Sequence, residues 1–336
     1  MSKILGKITL FIFINFFFLE FFSLIATKFN LLRFNDIPIY SFKEKKDGML
    51  WREENSIWGP WHKKNYKDQH TSRCFDVEYL SNNIGARDNN DYLEEEPASI
   101  VLIGDSFAEG YGVHLYNTFS KIIENKKKKV LNFGVAGAGP REEYLLKQNL
   151  IDKFKYDEII YMFLPDNDFV NYNLKYNTKY LNNKNAIYIN NTLDVLARFT
   201  YTYNTLRSAK YLYYDLIKFK NYKVKSYRSY SHNDKASIDS SLFYVKKILN
   251  SNKDIKKSII IIPRIEDIIK FHEKKDYKEY YWYKNLKLIA DENNVKLIDL
   301  LDYSLFEEKH LYFHSCDGHW SAYGNNFAAK KYLENK

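Results

Sequence analysis

Two cysteines in 336 residues are too few for a disulfide framework, and neither Cys74 nor Cys316 stands at metal-ligand spacing from another candidate ligand. One bridge between them or two buried thiols remain open. The eight histidines are scattered, and His310, His314 and His319 lack paired-ligand spacing with supporting carboxylates. No metal and no other cofactor is therefore expected. A phosphate-cradling loop is also missing, because the small-residue run from Gly134 to Gly139 is not followed by Lys-Ser or Lys-Thr. No internal repeat is apparent. Lys and Arg exceed Asp and Glu by 51 to 42, a net charge of +9, but the excess is spread along the chain among many Asn and Tyr. Its densest run, Lys126 to Lys129, falls between a helical pattern and a strand pattern, where a solvated turn belongs, so a nucleic-acid partner is not expected.

What the N-terminus does have is one long apolar run. Ile8 to Ala26 contains seven Phe, follows Lys3 and Lys7, and can cross a hydrocarbon core of about 30 Å as a helix. Asn15 and Glu20 interrupt it, with Glu20 near the end, where a carboxylate reaches the interface. The small-residue pair of a cleavage site is absent, since Leu24 precedes Ala26 and Ile25 precedes Thr27 at the relevant positions. Residues 1–28 are therefore expected to be an uncleaved single-pass membrane anchor. Lys28 and Arg33 blunt the charge argument for orientation, and the large domain is placed outside the cytoplasm.

Residues 29–97 are rich in Trp, Tyr and charge, with short alternating stretches, and are expected to form a small strand-and-loop extension ending at Glu94 to Pro97. From residue 98 to 336 the pattern changes. Five short apolar runs, Ile100 to Ile103, Val130 to Phe133, Ile159 to Leu164, Ser258 to Ile262 and Lys296 to Leu300, alternate with helical stretches. This predicts an α/β domain of three layers, a five-stranded parallel sheet with helices on both faces. The alternation lapses at about 171–235, where Tyr, Asn and Lys dominate and Leu193 to Tyr222 has helical spacing. An insertion capping the carboxyl edge of the sheet is expected there.

Ligands of such sheets bind beyond the carboxyl ends of the strands, so the residues that follow each run are the informative ones. After the first come Gly104-Asp105-Ser106, and after the second Asn132 through Gly139. Pro165-Asp166-Asn167-Asp168 follow the third, and near the C-terminus stands Ser315-Cys316-Asp317-Gly318-His319-Trp320. A hydroxyl at a strand end suits a nucleophile, small residues let backbone N–H groups approach an oxygen, and Asn offers an amide donor.

Together, in this order, the blocks resemble those of the SGNH (GDSL-type) hydrolases, a family of esterases, lipases and carbohydrate O-acetyl-processing enzymes with a flavodoxin-like α/β/α fold. The four residues naming that family match Ser106, Gly137, Asn167 and His319. Asn83-Ile84-Gly85-Ala86-Arg87-Asp88 is similar to a lead-in found in many membrane-associated members. The resemblance implies Ser106 as nucleophile, His319 as general base and Asp317 as its orienter. An oxyanion hole is implied from the N–H groups of Ser106 and Gly137 and the Asn167 amide. Asp105 is expected to be structural. Two positions depart from the family pattern: Pro165 stands where Gly is usual, and Asp317 precedes His319 by two residues rather than three. The resemblance and the anchor imply a membrane-tethered serine esterase acting on a small acyl ester, an O-acetyl group on a cell-envelope glycan. Transfer of the acyl group to a sugar hydroxyl, and a catalytically silent binding protein on the same fold, are the alternatives.

Overall fold

The computed structural model describes residues 2–29, 51–72, 74–95, 100–126, 129–170, 193, 195–197, 199–221, 229–250, 254–314 and 317–335. They group into two compact units, one built from residues 1–46, 71–74 and 175–223 and the other from the rest of the chain.

The first element, α1, runs from Ser2 to Lys28. Its stretch Ile4–Lys28, 25 residues, is long and apolar enough to cross a membrane, extending about 37 Å at the α-helical rise. Two antiparallel ribbons follow. Strands β1 (Arg52–Asn55) and β2 (Gly59–His62) form the first, and β3 (Lys67–Thr71) and β4 (Asp76–Leu80) the second. In β4 the side chains alternate strictly: Val77 and Tyr79 are buried while Asp76 is exposed, the two-residue period of a strand with one covered face. Trp51 stacks on Tyr79 with ring centroids 4.2 Å apart.

The sheet of the larger unit comprises β5 (Ile100–Ile103), β6 (Val130–Asn132), β7 (Glu158–Phe163), β8 (Lys256–Ile261) and β9 (Lys296–Asp299). Their spatial order is β6-β5-β7-β8-β9, and every neighbouring pair is parallel. All residues of β5, β6 and β7 are buried, which is why these strands read as continuous apolar runs rather than alternating ones. Around them lie α2 (Ser106–Glu109), α3 (Phe119–Glu124), α4 (Pro140–Asn149) and α5 (Pro165–Asp168). The helix α6 (Tyr201–Asn221) belongs with α1 in the other unit. Completing the larger unit are α7 (Lys235–Asn250), α8 (Ile265–Phe271), α9 (Tyr281–Glu292) and α10 (Ala322–Glu334). In α7 the buried Ile238, Leu242, Val245 and Leu249 recur at helical spacing on one stripe. Helix α4 packs against α7 and α7 against α9, whereas α3 packs against α10, so the sheet has helices on both sides.

The five strands lie where the apolar runs place them, with ends displaced by a residue or two. Of the expected insertion at 171–235, most of the first half lies outside the described residues, as do the boundary at Pro97 and Cys316. Cys74 is disulfide-bonded. Within the α1–α6 unit, Glu20 accepts hydrogen bonds from the N–H of Tyr201 (2.6 Å) and Thr202 (2.9 Å) and from Thr202 Oγ1 (2.7 Å). The acid that interrupts the apolar run thus meets the donors that the first turn of α6 leaves without an intrahelical partner.

Candidate active site

Strand order reverses between β5 and β7, the switch point at which an open parallel sheet leaves a crevice. Ser106 follows β5 and Asn167 follows β7, so two of the candidate residues flank it.

The turn that presents Ser106 is built locally. Asp105 is the N-cap of α2, and its Oδ1 accepts from the N–H of Phe107 at 2.9 Å. Its other oxygen, Oδ2, accepts from the Asn167 side-chain amide at 2.9 Å. One carboxylate therefore holds both the helix that begins at Ser106 and the amide expected in the oxyanion hole. Burial pushes the Asp105 carboxyl up, and the bonds from Phe107 and Asn167 oppose that rise. At the other end of α2, Arg87, almost fully buried, donates to the carbonyls of Glu109 (3.2 Å), Gly110 and Val113 and lies 4.2 Å over the Tyr79 ring. The lead-in arginine of the sequence thus satisfies backbone carbonyls around the end of α2.

His319 Nε2 lies 2.8 Å from Ser106 Oγ although 213 residues separate them in the chain. If the hydroxyl donates, the ring proton belongs on Nδ1. Asp317 Oδ1 stands 3.2 Å from Nδ1 and accepts from the His319 backbone N–H at 2.9 Å. Nδ1 has no aligned hydrogen-bond partner among the described residues, so the Asp317 contact is an electrostatic one beside a firm backbone bond. Burial would raise the Asp317 carboxyl, but the attraction of the His319 ring and the bond from its backbone N–H outweigh it and hold the group below the usual carboxylate range. The two-residue spacing is thereby explained: the carboxylate folds back onto the backbone of the residue whose ring it faces. Tyr111 packs on the His319 ring with centroids 4.4 Å apart, and Phe107 at 5.2 Å, so the imidazole has little room to rotate.

Gly137 is exposed, with φ of +86°, a conformation that glycine adopts without the penalty of a side chain. Gly134 plays a different part, since a Cβ there would lie 2.2 Å from the Glu109 N and 2.5 Å from the Ala108 carbonyl carbon. Only a glycine lets the loop lie directly on α2. Asn132 secures the same approach, its Nδ2 donating to the Ala108 carbonyl at 3.0 Å and its Oδ1 accepting from the Gly134 N–H at 2.9 Å. Pro165, the unusual residue of the third block, is the first residue of α5. There a missing N–H costs nothing and the fixed φ suits the helix start.

Two residues that the sequence did not single out complete the surroundings. Arg264, on the loop after β8, donates to the Gly318 carbonyl at 3.3 Å and places Nε 3.4 Å from Asp166 Oδ2. It ties the Asp317–His319 loop to the residue preceding Asn167. Glu109 is wholly buried and accepts from the Tyr79 hydroxyl and the Ala136 N–H, with His62 Nε2 at 3.6 Å. Burial alone would raise its carboxyl, yet the attraction of His62, the Arg52 charge and the Ala136 bond hold it low. A glutamate three residues after the candidate nucleophile looks like a helix-surface residue in sequence, and nothing local marks it as buried. Behind the site, burial raises the Asp168 carboxyl well above its ordinary value and pushes Glu143 up to about 8, against a 2.6 Å bond from the Tyr161 hydroxyl.

The sequence matches no family profile and no curated protein. Among solved structures, the chain is similar to a protein of the G-D-S-L family from Desulfitobacterium hafniense DCB-2. Identity there is 11%, the TM-score is 0.41, and the match covers 71% of this chain and 99% of that one. It is also similar to an acetyl xylan esterase (14% identity, TM-score 0.40, 70% and 98% covered) and to the lipase/acylhydrolase from Enterococcus faecalis (16%, 0.40, 70% and 94%). These likenesses concern the frame of sheet and helices, and the chemistry rests on the residues of this chain.

Proposed function

We propose that this chain is a serine esterase that removes a small acyl group, an acetyl, from an alcohol oxygen of a glycan, tethered to a membrane by α1 with the α/β domain outside the cytoplasm. The observation that carries the chemistry is the 2.8 Å contact between Ser106 Oγ and His319 Nε2 at the switch point of the sheet. On this reading Ser106 attacks the acyl carbon while its proton passes to His319 Nε2. The tetrahedral oxyanion is met by the N–H groups of Ser106 and Gly137 and by the Asn167 amide, whose second hydrogen is free of the Asp105 bond. As the intermediate collapses, the C–O bond to the alcohol breaks and His319 returns the proton to the departing oxygen. Water, deprotonated by the same nitrogen, then attacks the acyl-enzyme, releasing carboxylic acid and restoring Ser106.

Asp317, held low and facing Nδ1, supports the imidazolium formed twice in this cycle. The aligned Ser106–His319 pair also counts against a catalytically silent protein. Turnover of p-nitrophenyl acetate by the full chain in detergent is the test. The expected result is a rate above the buffer background that Ser106→Ala abolishes; equal turnover by wild type and Ser106→Ala contradicts the proposal.

A further inference from the structure

Val135, Ala136, Gly137 and Ala138 form a β-turn closed by the Ala138 N–H to Val135 carbonyl bond at 3.2 Å. Its third residue, Gly137, has φ of +86°, while Ala136 is not among the non-glycine residues of positive φ. That combination is a type II turn. Types I and II differ by rotation of the central peptide, here the one whose carbonyl is Ala136 O and whose N–H is that of Gly137. In a trans peptide these two point in opposite directions. Whatever holds the Ala136 carbonyl therefore decides where the Gly137 N–H points.

That carbonyl accepts a hydrogen bond from Arg52 Nη2, on β1 of the N-terminal extension, 84 residues earlier in the chain. The neighbouring peptide is fixed as well, because the Ala136 N–H is held by Glu109. Around Gly137 itself there is little else. A Cβ built there would meet just one described heavy atom within 4 Å, Arg52 Nη2 at 3.6 Å, so packing does not restrain the turn tip.

We infer that Arg52 is a positioning residue for the oxyanion hole, holding the Ala136–Gly137 peptide in the orientation that turns the Gly137 N–H toward Ser106. A cationic donor on the carbonyl also polarises the peptide, which makes the N–H at its other end a stronger donor. The extension is then a working part of the site rather than a spacer between anchor and enzyme. This inference rests on the proposed role of Gly137 in ester cleavage.

Its test compares Arg52→Ala and Arg52→Lys with wild type and Ser106→Ala, as full chains in detergent. With p-nitrophenyl acetate, Arg52→Ala should lower kcat by roughly 10- to 100-fold, short of the loss typical of a deleted oxyanion donor, with KM within about threefold. Binding of a boronic acid that forms a tetrahedral serine adduct should weaken in parallel, since both effects report on the transition state. Arg52→Lys, which retains a cationic donor, should recover part of each. Unchanged kcat and boronate affinity in Arg52→Ala, with turnover still dependent on Ser106, overturns the inference. A second readout does not need turnover. The chain has 12 glycines, so 15N-glycine labelling gives a spectrum in which the Gly137 amide is assigned by its loss in Gly137→Ala. A displaced Gly137 amide in Arg52→Ala supports the orientation of this peptide by Arg52, which is the structural half of the inference and is read without turnover, and a superimposable one overturns the inference.

Discussion

Asn167 donates its side-chain amide to Asp105 Oδ2 at 2.9 Å, so the residue that caps the helix beginning at Ser106 also aims the amide beside it. The two functions separate in Asp105→Asn. Its carbonyl oxygen can still accept from Phe107, but its amide nitrogen would face another amide nitrogen. The expected outcome is a thermal midpoint near wild type with kcat reduced toward that of Asn167→Ala, which should fall about 100- to 1000-fold. Parallel melting curves and p-nitrophenyl acetate kinetics check this.

Gly134 and Gly137 should respond differently to alanine. At Gly134 the new methyl would overlap backbone atoms of Ala108 and Glu109, an overpacking that costs about 1–3 kcal/mol or more. At Gly137 space is open, so the cost is the left-handed φ, on the order of 1 kcal/mol. Denaturant midpoints should therefore drop more for Gly134→Ala, whereas Gly137→Ala should lose activity out of proportion to its stability.

Glu143 gives stability a pH dependence of definite sign. Burial disfavours the anion and pushes its folded carboxyl up to about 8, above the ordinary value of 4.5. The folded state thus binds the proton more tightly than the unfolded chain. This contribution is complete below the unfolded value and is lost as pH rises through about 8. The wild-type melting temperature should fall between pH 5 and 8 by more than that of Glu143→Gln, whose amide does not titrate; equal slopes in the two proteins would contradict the assignment.

Asp317→Asn tests how much the carboxylate contributes through charge. The 3.2 Å, poorly aligned contact with Nδ1 predicts a smaller loss than full removal of a general base, roughly 10- to 100-fold in kcat. A loss as complete as that of His319→Ala would instead show that a direct Asp317–Nδ1 hydrogen bond forms during turnover.

Much of the frame was legible because buried parallel strands leave a contiguous signal. Ile100 to Ile103 and Ser258 to Ile262 are apolar without alternation, and each is followed by the residues that gather at the carboxyl edge. Ser106 and His319 could be paired across 213 positions since their residue types and block order are jointly restrictive. Arg52, Tyr79 and Glu109 were not legible for the opposite reason. Each is a common residue in a short segment, and its importance arises from contacts with residues 27 to 84 positions away. Arg264 was hidden in the same way, on an ordinary strand-to-helix loop that passes beside both Asp166 and Gly318.

The central claim is that Ser106 is an activated nucleophile, and covalent labelling reads this without knowledge of the natural substrate. Full-length protein in detergent is treated with a fluorophosphonate and digested, and the modified peptide is mapped by mass spectrometry. The account predicts one adduct on Ser106 in wild type, none in Ser106→Ala, and strongly slowed labelling in His319→Ala. Folded wild-type protein that remains unlabelled, or labelling that persists at the same rate in Ser106→Ala, would contradict it.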